Sequence, residues 1–170
     1  MSEVLVRWNG LTQEEAVQEI LPCCGSKTWA TKLAAKRPIL DEGSLLATSD
    51  TMWGSLGEAD WLEAFQSHPR IGESHAEKVA TAQSSAWSEQ EQQKAAAADE
   101  AMKNALKWGN REYELKFGRI FIVCATGKSA GEILEILRRR LQNDPATELR
   151  QAAEEQRQIM QVRIRKWLAQ

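Results

Sequence analysis

The stretch FQSHPRIGE, Phe65 to Glu73, sets one of the chain's two histidines directly before a proline. Imidazole titrates near neutral pH and can both take and give a proton, so His68 is a candidate for acid–base chemistry. Trp61 and Phe65 precede it at helical spacing, so His68 continues the apolar face of that helix, while Pro69 biases it toward extended backbone. Such an imidazole points toward the protein yet stands at the edge of an element, where a pocket can open. A histidine packed at a helix end, its charged form favoured by the helix dipole, leaves the same trace.

Two other groups have the types needed to work with it. In SEQEQ, Ser88 and Glu91 have the spacing of a capping box, and a glutamate near a helix N-terminus is favoured on electrostatic grounds alone, so spacing does not separate cap from catalyst. In the last helix, Leu149, Ala153, Gln156, Met160, Arg163 and Trp167 fall on one stripe, whereas Arg150, Arg165 and Lys166 turn away. Arg163 therefore interrupts an apolar face. An inward guanidinium needs an anionic partner, either a structural carboxylate or a ligand's carboxylate held by both prongs. The run Arg138 to Arg140 reads as a solvated helix flank.

Other chemistries are excluded by spacing. CATGKSAGE resembles the start of a phosphate-binding loop, but that loop needs a glycine five positions before Gly127, and Ile122 stands there. Ser129 and Glu132 instead make a capping box. His68, Glu73 and His75 match no helical HExxH pattern, and the three cysteines (adjacent Cys23 and Cys24, distant Cys124) suit neither a zinc site nor paired disulfides, so no metal is expected.

The elements that must position these residues read as helix after helix. Thr12 and Glu15 cap a first helix that Pro22 ends; a second lies around Trp29 to Ala34, ending near Pro38; a third carries Trp61, Leu62 and Phe65. LDEGSLLATSDTMWGSLGEAD between them reads as loop and short turns. The alanine-rich stretch from Ser88 to Trp108 has the composition of one continuous helix. By local propensity IFIVCA, Ile120 to Ala125, is a strand. A helix with Ile133, Leu134, Ile136, Leu137 and Leu141 follows, and Asp144-Pro145 opens the last.

With 170 residues, 42% hydrophobic and 27% charged, the chain suits one domain over 1–170. A net charge of -2 offers no general attraction for nucleic acid. No run approaches the ~20 apolar residues of a membrane span, the N-terminus lacks a secretory pattern, and the cysteine usage suits a reducing cytoplasm. Seven tryptophans exceed what a small helical core readily hides, which points to an interface.

The ordered set FQSHPRIGE, SEQEQ, YELKFGRIFIVCATGKSAGEIL and ELRQAAEEQRQIMQVRIRKW resembles the 2-oxo-4-hydroxy-4-carboxy-5-ureidoimidazoline (OHCU) decarboxylases of uric acid breakdown. Each motif is short, but four in this order and separation cover most of the chain. The resemblance implies an all-α, single-domain helical bundle, cofactor-free and homodimeric, that releases carbon dioxide from OHCU to give (S)-allantoin. It makes IFIVCA a short buried extended connector instead of a strand. It further implies His68 and Glu91 as the acid/base pair, Pro69 packed on the substrate ring, Ser88, Gln92 and Arg163 as binding residues, and Phe121, Ile122, Val123, Cys124 and Ala125 as the source of backbone hydrogen bonds to the ligand. Arg119-Ile120 departs from the apolar or proline residues of some members. The rival readings are a hydrolase or a binding protein for a related cyclic ureide.

Overall fold

The computed structural model describes residues 2–72 and 81–170, so Glu73 and His75 lie outside the described residues. The helices among those residues are α1 (Glu3–Gly10), α2 (Gln13–Ile20), α3 (Lys27–Ala34), α4 (Glu42–Gly54), α5 (Glu58–Phe65), α6 (Ala82–Glu91), α7 (Glu100–Phe117), α8 (Ala130–Arg140) and α9 (Pro145–Leu168). Single 3-10 turns occupy Leu21–Cys23 and Ala95–Ala97. The protein is all-α, as expected, and none of these helices is long and apolar enough to cross a membrane.

Within this all-α fold the chain forms two compact units. Met1–Phe65 with Arg157–Gln170 is one and Gln66–Gln156 the other. In the first, Trp8 is fully buried, meets Trp167 edge-on at 5.7 Å and donates its indole N–H to the Ala16 carbonyl at 3.0 Å. In the second, Leu106 and Tyr113 of α7 pack with Ile133, Leu134 and Leu137 of α8. Gly109 is what lets α7 and α8 approach: a Cβ there would fall 2.6 Å from Leu137 Cδ2.

The expected helix starts are present. Thr12 with Glu15 and Ser129 with Glu132 form complete capping boxes, and Asp144 Oδ1 accepts from the Thr147 amide at 2.9 Å ahead of α9.

Four expectations are corrected. The segment read as loop contains α4, because Asp41 caps it through the Ser44 amide at 2.7 Å and Leu45, Leu46, Ser49 and Trp53 bury one face; glycine, serine and threonine had masked that periodicity. The alanine-rich stretch is broken between Glu91 and Glu100, since Asp99 accepts from the Met102 amide at 2.8 Å and begins a new helix. Ser88 is not a cap: α6 starts at Ala82, with Thr81 accepting from Ser84, so Ser88 and Glu91 occupy its C-terminal turns. Arg140 is no solvated flank but 2% exposed.

Trp8, Trp29, Trp53, Trp87 and Trp167 are buried, whereas Trp108 is 65% exposed.

Ile120 to Ala125 forms the buried extended connector and no strand. Phe121, Val123 and Ala125 join the α7–α8 core. Among the described residues no neighbouring strand is present to pair with this backbone, and side chains do that work instead. Arg140 Nη1 donates to the Ile122 carbonyl at 2.6 Å, the Cys124 amide donates to Glu155 Oε2 at 2.8 Å, and Lys128 Nζ donates to the Cys124 carbonyl at 2.6 Å.

Candidate active site

His68 lies three residues beyond α5, in the second unit, and is more buried than its position at an element's edge suggested, at 6% exposure. Its Nε2 is 2.7 Å from Oε1 of Gln156, a fully buried side chain on α9. An amide oxygen only accepts, so this contact calls for the ring tautomer that carries its proton on Nε2. Among the described residues the Gln156 amide nitrogen is itself buried with no hydrogen-bond partner; leaving such a group unmet costs about 1–3 kcal/mol.

The chain after His68 is tied to the end of α6. Pro69 and Ile71 are buried, Gly72 adopts φ 87°, and its amide donates to Gln92 Oε1 at 2.9 Å. That left-handed φ suits glycine alone among common residues. Asn110 of α7 donates to the Ile71 carbonyl at 3.2 Å, and Arg70 grips Glu114 with two hydrogen bonds at 2.5 and 3.0 Å. Pro69, Ser88 and Gln92 all face a cavity of about 900 Å³ whose wall also carries Arg70, Asn110 and Lys107. His68 and Glu91 are not among its described lining residues.

Glu91 is buried at 7% exposure. Burial first, and then the Glu155 and Glu91 carboxylates, push the Cys124 thiol above its ordinary pKa, against the opposing charge of Lys128 and a backbone hydrogen bond from Thr126. Glu155 and Lys128 thus both bond to one short stretch of connector backbone. The connector groups engaged by Arg140, Glu155 and Lys128 hold that stretch in place, so its carbonyl and amide dipoles are fixed before any ligand arrives.

Arg163 belongs to the first unit and is fully buried, as the interrupted stripe implied; Ala153, Gln156, Met160 and Trp167 are buried with it, while Arg150 and Arg165 are exposed. Its Nη1 donates to the Pro22 carbonyl at 3.4 Å. Its charge also acts on the Cys24 thiol, countering the burial that pushes that group up to about 12.

Three side chains at or beside the site escaped sequence reasoning: Gln156, Glu155 and Arg140. Gln156 lay on the apolar stripe beside Arg163, and a glutamine on a buried face was a signal of the same kind. Glu155 and Arg140 carried no such signal, because charged residues on amphipathic helices usually face water.

The sequence pattern of the OHCU decarboxylase family matches residues 9–165, and the chain belongs to that family. It is 35% identical over 146 residues to the uric acid degradation bifunctional protein TTL of Arabidopsis thaliana, covering 85% of this chain and 44% of that protein. It thus spans less than half the length of that relative. Identity to the 2-oxo-4-hydroxy-4-carboxy-5-ureidoimidazoline decarboxylase of Amia calva is 30% over 167 residues, 92% of this chain and 89% of the other. A crystal structure of OHCU decarboxylase in the presence of (S)-allantoin superposes with a TM-score of 0.77 at 32% identity, covering 89% of this chain and 98% of that one.

Proposed function

We propose that this protein decarboxylates OHCU to (S)-allantoin in uric acid degradation, with His68 and Glu91 as its acid/base pair. The observation that carries the reading is the family match over residues 9–165, joined by likeness over nearly the whole length of an OHCU decarboxylase crystallised with (S)-allantoin.

The chemistry needs only what these side chains supply. Breaking the bond to the carboxylate leaves its electron pair on a ring carbon conjugated with an imine-like system that takes up the charge. Carbon dioxide leaves, and one proton is delivered to one face. The protein's tasks are to orient the carboxylate, stabilise developing charge and move that proton. The His68 imidazole exchanges a proton with the substrate's hydroxyl or reacting carbon, and Glu91 is its partner. Pro69 packs on the ring, while Ser88, Gln92, Arg163 and the backbone groups of Phe121, Ile122, Val123, Cys124 and Ala125 other than the Cys124 amide, which Glu155 occupies, hold polar substituents. No metal or added cofactor takes part.

The working form is a cytoplasmic homodimer. Trp108 and Leu115, 65% and 88% exposed at two-turn spacing on α7, support an interface with a second copy. Light scattering at micromolar concentration is expected to give twice the chain mass.

Incubation with freshly generated OHCU, recording carbon dioxide and the optical activity of allantoin, tests the reaction. Stereospecific allantoin with stoichiometric gas is expected. Consumption of a cyclic ureide without gas favours the hydrolase alternative.

A further inference from the structure

The two ends of the Gln156 amide have unequal surroundings. Oε1 meets His68 Nε2 at 2.7 Å, whereas the amide nitrogen is buried with no hydrogen-bond partner among the described residues. A glutamine that closes a structural network normally has both ends satisfied; here the satisfied end is the one facing the imidazole. With that end an acceptor, the contact calls for the proton on Nε2 of His68, which in the neutral ring leaves the lone pair on Nδ1. Turned over, the amide would instead donate to Nε2 and stabilise the opposite tautomer. The neighbouring side chain, Glu155, accepts the Cys124 amide at 2.8 Å. Two consecutive residues of α9 therefore hold the histidine and the connector, and a helix is a more exact mount than a loop.

We propose that Gln156 is a positioning residue for the reaction, holding the neutral His68 ring as its Nε2–H tautomer. This rests on the decarboxylase reading in which His68 is the acid–base group. A tautomer held in advance removes from the reaction the cost of selecting it, in the way that a carboxylate orients the histidine of a hydrolytic triad.

The presence of only two histidines makes the test direct. In His75→Gln protein labelled with ¹⁵N-histidine, the shifts and ring-proton couplings of neutral His68 report which nitrogen is protonated, without any substrate. Protonated Nε2 is expected. A proton on Nδ1 overturns the proposal before any change at Gln156 is made. In Gln156→Met, similar in length but without an acceptor, the tautomers should mix. Decarboxylation kcat should fall about 10-fold to 100-fold, as misoriented catalytic groups do, with KM close to the native value. An unchanged tautomer with unchanged kcat, even with a lower Tm, would make Gln156 a packing residue and sink the idea. If the native protein releases no carbon dioxide from OHCU, the decarboxylase reading fails, while the resonance measurement still decides whether Gln156 sets the tautomer.

Discussion

Arg140 and Glu148 form a buried ion pair between the end of α8 and the first turn of α9, with Nη2 and Nε of the arginine donating to the same Oε1 at 2.5 and 2.8 Å. The Tyr113 hydroxyl donates to that oxygen at 2.6 Å and Asn143 Nδ2 donates to the other at 2.8 Å. Burial, followed by this carboxylate, holds the Tyr113 hydroxyl far above its ordinary pKa. Since Arg140 Nη1 also grips the Ile122 carbonyl, the pair joins α7, α8, α9 and the connector.

Glu148→Gln keeps the shape but leaves Arg140 charged and buried without its counterion. Breaking such a pair from one side costs about 3–5 kcal/mol, so urea denaturation should show a loss of that order. An unchanged midpoint would mean that the pair contributes nothing net.

His68→Asn keeps a polar side chain and removes the titratable ring. Turnover should fall roughly 100-fold to 10,000-fold, the usual contribution of an acid–base group. Circular dichroism should show a folded protein; near-normal stereospecific decarboxylation by that protein would return His68 to a packing role.

Arg163→Lys separates ligand binding from structure. Lysine keeps the charge and loses the planar fork, so a substrate-holding role predicts weaker binding and turnover with Tm nearly unchanged. A structural role, through the Pro22 carbonyl and the charge beside Cys24, predicts a loss of roughly 1–3 kcal/mol with kinetics intact. Melting and steady-state kinetics on one sample decide between them.

Gly109→Ala would push a methyl to within 2.6 Å of Leu137 Cδ2, on a leucine that is itself fully buried. Overpacking of about 1–3 kcal/mol outweighs the gain of up to ~1 kcal/mol in helix propensity, so Tm should fall. Gly131→Ala is the contrast, because its Cβ would meet Met102 Cε at 3.8 Å and Ser129 Oγ at 3.9 Å, both ordinary contacts; its Tm should hold or rise. Equal effects at the two sites would contradict the close approach of α7 and α8.

Alkaline pH should destabilise the protein through Cys24. Its thiol is raised from 9.0 to about 12 by burial, so the unfolded chain gives up this proton first. The contribution is complete below the unfolded value and is lost as pH rises from there toward the folded one, at roughly 1 kcal/mol per pH unit. Denaturation midpoints across that window should decline less steeply in Cys24→Ala; identical slopes would remove Cys24 from the account.

Much of this molecule was legible in one dimension, and for local reasons. A cap and its partner are three residues apart, so Thr12 with Glu15, Ser129 with Glu132 and Asp144 before Pro145 announce their helices unaided. Helical period placed Arg163 on a buried stripe by the same logic, and four ordered motifs were enough to indicate the family. What escaped depended on distant partners. Ser88 and Glu91 have the spacing of a cap, yet Thr81 begins that helix and the pair lies near its other end. Ile120 to Ala125 has the propensity of a strand, but its backbone groups are held by Arg140, Glu155 and Lys128 from elsewhere in the chain. Arg140 looked solvated until Glu148 stood against it, and nothing in local sequence set Gln156 against His68, 88 residues away. Local spacing determines where helices start and which faces are apolar; whether a buried polar group has a partner is decided only when the tertiary structure brings that partner within hydrogen-bond distance.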